Sequence, residues 1–477
     1  MRSRAAVAAS LLALGGCSLA PKYERPAPPV EAQFAAGGQA PAAAGAAAAA
    51  DVGWRDVFGD PRLQALIALG LENNRDLRVA ALNVELTRAQ YRIQRAQQLP
   101  SVSAVATSTT QRVPADLSST GGATQGTAYT VGGALSAFEL DLFGRVRSLS
   151  EAALEQWLAT EEAHRSAQIS LVAALATQYL AERAFDDQVT LARQTLDIVQ
   201  ALYALTKRTY EAGRTSELDL RTAESQVETA RFNLSVAEQQ RAQAANALVL
   251  LVGQPLPSDL PPPVPLDAQA IVAELPAGVP SEVLVRRPDI LAAEHQLKSA
   301  NANIGAARAA FFPSITLTAF GGTSSAELSG LFATGSQVWS FTPRLNLPIF
   351  MGGALRASLD VAKVRKSIEV ALYERAIQGA FREVSDALVV RAAVEQQLEA
   401  QIALVGAEER RYQLSDLRYR KGIDSYLNVL TAQRDLFSAQ QQLIQTRLAR
   451  LANLIDLYRA LGGGWRERSA TASAFNG

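Results

Sequence analysis

The sequence predicts a mainly α-helical chain, built as an internal structural repeat, with a smaller β part of the type that forms a transmembrane barrel. Three observations carry this. Two segments, "TKRTYEAGRTSELDLRTAE" (206–224) and "LRYRKGIDSYLNVLTAQ" (417–433), share residues at matched spacing. Tyr210 corresponds to Tyr419, Gly213 to Gly422, Ser216 to Ser425, Leu218 to Leu427 and Ala223 to Ala432, always 209 positions apart (422 − 213), and the offset holds to Leu248/Leu457 and Gly253/Gly462. Each turn closes an unbroken helical pattern, about 145–209 and about 355–418, which at 1.5 Å per residue spans roughly 95 Å. Finally, "QVWSFTPRLNLPIF" sets Trp339, Phe341, Leu345, Leu347 and Ile349 against Ser340, Thr342, Arg344, Asn346 and Pro348. One face is apolar and one polar, which suits a strand between lipid and water. A half-buried strand of a soluble sheet shows the same alternation.

Composition narrows the function. Across 477 residues the 46 basic and 46 acidic side chains balance, with no basic block to point to nucleic acid. Aromatics are scarce at 6%, and abundant Ala, Leu, Gln and Arg favour long helices. Two histidines and one cysteine exclude a His/Cys metal cluster. His164 and His295 both lie within helical patterns, as packed or solvated side chains rather than catalytic ones. No nucleophile–base constellation appears, so an enzyme is not expected, nor a cofactor.

The chain opens with Arg2 and Arg4, an apolar run from Ala5 to Leu14, and "LGGC" ending at Cys17. The run is too short to span a membrane and reads as a signal peptide over 1–16. Leu14-Gly15-Gly16-Cys17 looks like a bacterial lipobox, which makes Cys17 the lipidated N-terminus; an ordinary signal with an incidental cysteine is the alternative. Residues 17–60 read as a lipidated, extended N-terminal tether, Pro- and Ala-rich and poorly packed from 18 to about 53. The first repeat, 61–253, starts with Asp60 as N-cap and Pro61 in the first turn. It continues as helix to Gln98, where Pro100 ends it, then strand, Gly/Ser/Thr loop and strand, then a long helical hairpin. A Pro-rich linker covers 254–280. The second repeat, 281–462, follows the same plan: Asp289 matches Asp76 and Pro313 matches Pro100, both 213 apart (289 − 76). A tail covers 463–477.

Ala223, Val227, Ala230, Leu234 and Ala237 step by four and three, a coiled-coil seam, copied as Ala432, Leu436, Ala439, Leu443 and Thr446. Four strands cannot close a barrel, and an open edge in lipid leaves backbone groups without partners. A homo-oligomer solves this, and three copies would supply twelve strands. Spacing alone does not fix the number three.

These segments, with "CSLAPKYERPAPP", "WRDVFGDPRLQALI", "FELDLFGRVRS", "LVRRPDILAAEHQLKSANANIGAARAAFFPSITLTA", "FMGGALR" and "YRALGGGW", resemble the outer membrane factor family, the TolC-like efflux channels, in its lipoprotein branch. The resemblance covers Cys17 to Trp465. It implies a homotrimer with a twelve-stranded transmembrane β-barrel, four strands per chain, continued by a long α-helical barrel in the periplasm. The implied function is the outer-membrane exit channel of a tripartite efflux pump in a Gram-negative bacterium, lipid-anchored, conducting small molecules passively. The implied partners are a periplasmic adaptor, an inner-membrane pump and outer-membrane lipid. A protein-secretion duct is the neighbouring reading, and a coiled-coil structural or adaptor lipoprotein the reading from another class. The adaptor is expected at the turns, through Gly213, Arg214, Ser216, Gly422, Asp424 and Ser425. A gate is expected near them: in related channels a tyrosine and an acidic residue at the positions of Tyr419 and Asp219 hold the end closed, with Arg418 as a second partner. Where many relatives carry an acidic ring, this chain has neutral Asn428 and Thr431, and Leu427 stands as a candidate apolar constriction or a plain seam leucine.

Overall fold

The computed structural model describes residues 18–31, 49–119, 121–272 and 286–469. Cys17 lies outside them. Asp60 caps the first substantial helix by accepting from the Arg62 and Leu63 amides at 2.8 and 3.4 Å. In chain order the elements are α1 (Trp54–Val57), α2 (Pro61–Asn73), α3 (Arg75–Ala96), β1 (Val102–Val113), β2 (Thr124–Leu140), α4 (Arg145–Glu211) and α5 (Glu217–Val252). Then come α6 (Pro288–Ala309), β3 (Ser314–Ser325), β4 (Gln337–Asn346), α7 (Ala354–Arg420) and α8 (Tyr426–Ala460). The two long helices, α4 and α7, are each 67 residues, about 100 Å at 1.5 Å per residue. Among the described residues no helix is long and apolar enough to cross a membrane.

The chain divides into two compact units, each drawing on both halves of the sequence. The first takes in 83–161 and 292–373 and contains all four strands. They form one antiparallel sheet in the order β1-β2-β3-β4, open at β1 and β4. Its register sorts the side chains. Val102 pairs with Leu135, Leu135 with Ala319 and Ala319 with Phe341; Phe138 pairs with Leu317, and Ile315 with Leu345. Paired residues share a face, so these apolar groups line one side. The other side carries Thr107, Thr130, Ser324, Thr316 and Arg344. A plain two-residue period would break this sorting in β2, because Leu135 and Phe138 differ in parity. A bulge repairs it: Ser136 and Ala137 together face Thr318, with Ala137 at φ 40°.

The second unit takes in 162–291 and 374–469 with 49–82, and holds the main core. Trp54, Phe58, Leu63, Leu66, Ile67, Leu175, Tyr179, Ile455 and Tyr458 are all at most 2% exposed. Each such side chain contributes about 1.5–3 kcal/mol of burial. The Tyr179 hydroxyl donates to Asp60 at 2.7 Å, so the N-cap carboxylate also ties α4 to α2.

Three expectations need correction. Residues 17–60 are not extended throughout, since Trp54–Val57 form a helix and Trp54, Val57 and Phe58 sit in the core; large apolar side chains at helical spacing bury it. The described part of the tail is likewise packed: the amide of Trp54 donates to Arg466 O at 2.9 Å, and that of Arg55 to Glu467 O at 3.2 Å. The first helical stretch does not run unbroken to Gln98. Asn74 interrupts it, ending α2 and capping α3 through Oδ1, which accepts from Leu77 N at 2.9 Å. β4 stops at Asn346 rather than Ile349, consistent with Pro348 lacking a ladder donor.

Candidate functional site

The two matched turns join α4 to α5 and α7 to α8, and both turns lie within the second unit. Their backbones are near-identical. Gly213 N donates to Tyr210 O at 2.8 Å and Arg214 N to Thr209 O at 2.9 Å; Gly422 N donates to Tyr419 O and Ile423 N to Arg418 O, both at 2.9 Å. These are the two bonds of a helix end that turns on a left-handed residue. Gly213 and Gly422 have φ 68° and 71°, and nothing lies within 4 Å of a Cβ added to either. Glycine is required there by the backbone alone.

The side chains differ. At the first turn Ser216 Oγ accepts from Asp219 N at 3.1 Å, while Asp219 Oδ2 accepts from Ser216 N at 3.4 Å, Ser216 Oγ at 2.7 Å and Thr215 Oγ1 at 3.1 Å. This is a closed capping box. The Ser216 hydroxyl bond, with Thr215 adding to it, holds the Asp219 carboxyl below its ordinary range. At the second turn Ser425 occupies the N-cap position but makes no side-chain cap bond. The residue three places on is Asn428 rather than a carboxylate, and its amide turns back to Asp424 Oδ1 at 2.6 Å. Arg418 Nε donates to Asp424 Oδ2 at 2.9 Å. The Arg418 bond, then that of Asn428, holds Asp424 below its ordinary range.

Beneath the turns lies an aromatic floor. Tyr426, Leu202, Ala223, Val429 and Leu430 are buried together, with Tyr203, Tyr412 and Tyr419 packed against them. The Tyr419 ring lies 5.8 Å from that of Tyr426, tilted by 58°. Burial first, then Tyr419 and the charge of Asp219, push the Tyr426 hydroxyl up to about 12. Leu427 and Leu218 point outward, 64% and 75% exposed. Thr431 is half-buried and donates to Leu427 O at 2.9 Å. The seam is as read, with Ala223, Val227, Ala230, Ala237, Ala432 and Ala439 all buried.

Tyr426, Tyr203, Tyr412 and Thr215 were not singled out from sequence. The repeat held the signal: Tyr203 and Tyr412 stand 209 apart, and Tyr426 replaces Glu217 at that offset. Of the two histidines, His295 is half-buried and bonded to Glu155 Oε2 at 2.5 Å, a packed helix histidine.

A duplicated chain pairing an open four-stranded sheet with helices of about 100 Å is the architecture that has to be placed in a class. Comparison bears on the same point. Residues 66–254 and 279–463 match the outer membrane efflux protein family. The toluene efflux pump outer membrane protein TtgC of Pseudomonas putida is 51% identical over 473 residues, 99% of this chain and 98% of that one. Outer membrane protein OprJ of Pseudomonas aeruginosa is 46% identical over 456 residues, covering 96% and 95%. The open-state MtrE outer membrane channel of Neisseria gonorrhoeae superposes with a TM-score of 0.87 at 42% identity, covering 95% of this chain and all of that one. The chain belongs to the outer membrane efflux protein family. It is an outer-membrane channel of efflux pumps, from a family of ducts and not of enzymes.

Proposed function

We propose that three copies close the open sheet into a twelve-stranded barrel, continued by an α-helical barrel, and that this trimer is the passive exit duct of a tripartite pump. The observation that carries the reading is the sheet register near the helices, where Val102, Leu135, Leu317, Ala319, Phe341 and Leu345 share one face and Thr316 and Arg344 lie on the other, together with two open edges. Unpaired strand edges are untenable in lipid, and a ring of three chains pairs every one. A periplasmic adaptor coupled to an inner-membrane pump docks at residues 213–216 and 422–425, and Cys17 carries the lipid anchor. Because relatives are named for toluene and antibiotic efflux, small apolar solutes and antibiotics are the cargo class. Native mass spectrometry of the detergent-solubilised protein tests the stoichiometry; a monomer or dimer sinks the barrel. Mass spectrometry of the mature N-terminus tests the anchor, which an unmodified Cys17 rejects.

The resting gate forms where Tyr419 donates to Asp219 on an adjoining hairpin, flanked by Arg418, Leu427, Asn428 and Thr431. Support comes from the shared aromatic floor that brings Tyr419 beside the turns. Three of the first turn's four bonds land on Asp219 Oδ2, so Oδ1 is the oxygen a tyrosine would use. Arg418 is engaged by Asp424 and must exchange partners to join. A hydrogen bond to a charged group contributes about 1.5–3 kcal/mol, less at a solvent-exposed tip. Bilayer conductance of Asp219→Ala and Tyr419→Phe trimers should rise above wild type; unchanged conductance in both removes the gate.

A further inference from the structure

Residues 19–25 carry neither helix nor strand, yet they are held along α6 at three points. Arg308 Nη1 donates to Leu19 O at 3.1 Å, and Asn301 Nδ2 to Pro21 O at 2.7 Å. Arg25 grips Glu294 with Nε at 3.1 Å and Nη2 at 2.8 Å, and the Tyr23 hydroxyl adds a third donor at 3.1 Å. Low strap numbers meet high helix numbers, so the strap runs antiparallel to α6. From Glu294 to Arg308 the helix rises about 21 Å, and six extended residues reach about 20 Å. The spacing of the seat therefore fits an extended peptide.

The receiving surface is built. Glu294 is 2% exposed, with Lys298 Nζ 3.4 Å away on its own helix. Burial pushes its carboxyl up, but Arg25, Lys298 and Tyr23 outweigh this and hold it below the ordinary range. A buried carboxylate left with only Lys298 would be costly. Gly305 supplies the room, since a Cβ there would stand 2.8 Å from Ala20 N and 2.6 Å from Ser148 Oγ. Arg308 also lies only six positions before Ser314 (314 − 308), and Ile315 begins the apolar face of the sheet. Ser18 thus emerges near the foot of β3.

We propose that this side of α6 is a peptide-binding seat whose ligand is the chain's own Leu19–Arg25 segment, and that it sets the height at which residue 17 meets the membrane. The seat stands on the contacts above; the consequence for height rests on the proposed membrane sheet and the lipid at Cys17. A seated strap turns a lipid on a flexible leash into one preorganised beside the barrel wall, which removes much of the ordering cost of inserting it. Glu294 and Arg25 are positioning residues here, acting on the anchor through the strap.

The test is hydrogen exchange of the peptide covering 18–26 in the full mature protein in lipid nanodiscs. It is run with the acylated chain and with the same chain exported unacylated behind an ordinary signal. Exchange should be slowed at least about tenfold relative to the free peptide in both, and that protection should be lost in Glu294→Gln and in Arg25→Ala. Arg25→Ala leaves α6 untouched, so misfolding of the seat cannot explain its result. In the unacylated chain, with Cys17→Ser so that one thiol is labelled, a nitroxide on Ser18→Cys should be immobile with the strap seated, and mobile in water in both variants. Free-peptide exchange in wild type, protection unaffected by both variants, or protection that vanishes without the acyl group would each overturn the seat. The N-terminal mass separately decides the lipid at Cys17, so the two readings fail distinguishably.

Discussion

The two hairpin turns share a backbone and divide in their side chains. Both end a 67-residue helix on a left-handed glycine with the same pair of amide bonds. The first is then closed on itself: Ser216, Thr215 and Asp219 satisfy one another in four hydrogen bonds. The second is held by charge, with Arg418 and Asn428 converging on Asp424 and Ser425 contributing no cap. One position decides this. The residue three beyond the N-cap is a carboxylate in the first copy and an amide in the second: Asp219 accepts from the cap amide while its own N–H bonds the serine, whereas the Asn428 side chain donates to Asp424 instead. The copies keep what the chain reversal demands and vary what a partner or a gate would meet.

The comparison breaks most readily at the shared glycines. Gly213→Val and Gly422→Val should each cost about 1–2 kcal/mol through the left-handed backbone alone, and by the same amount, because neither Cβ meets anything. Unequal losses, read as amide exchange of the flanking helix ends, would show that the backbones are not equivalent in solution. Next in size, Ser216→Ala should destabilise the start of α5 by about 1 kcal/mol. Ser425→Ala should leave the start of α8 unchanged, since no cap bond is lost there. Equal effects would refute the difference in capping. Smaller still, 1 M salt should speed exchange more around 422–428 than around 213–219, because the Arg418–Asp424 pair closes the second turn, whereas the first turn's Arg221–Glu217 pair lies along the exposed face of α5 and does not hold the turn.

Acid gives the finest test. Asp219 and Asp424 are both held below the ordinary carboxylate range, so their contribution is complete above about pH 4 and is lost as pH falls through their lowered values. Ser216→Ala should move the Asp219 titration up while leaving Asp424 in place, and carboxyl NMR titration of both reads it. A shift in Asp424 would mean that the turns are coupled.

Local signals made much of this legible beforehand. The repeat, the Asp60 cap, the glycine turns and the seams are set by residues a few positions apart, and a period of 3.6 or 2 reports them directly. The sorting of β4 was readable for the same reason. What stayed hidden depends on distant neighbours. Arg25 finds Glu294 across 269 positions, and no local pattern distinguishes a Pro-rich tether from a seated strap. Asn74 looks like one more polar residue in a helical run until its side chain is seen bonding Leu77 N. At the turns the spacing identified the serines, but whether each caps depends on what its neighbour prefers to bind.

The bulge at Ser136 and Ala137 gives β2 one spare residue. Two positions there oppose a single partner, so the strand can lose one and keep pairing. Removing Ala137 leaves Leu135, Phe138 and Leu140 alternating regularly on the same side, with Glu139 still opposite. A deletion a few positions upstream can be absorbed by the same slack. β3 has none: its partners follow one for one from Ser314 to Thr323 against β4, so a single loss there turns one half of the strand inside out. Across relatives of differing length, one-residue gaps should therefore gather near the bulge and avoid β3.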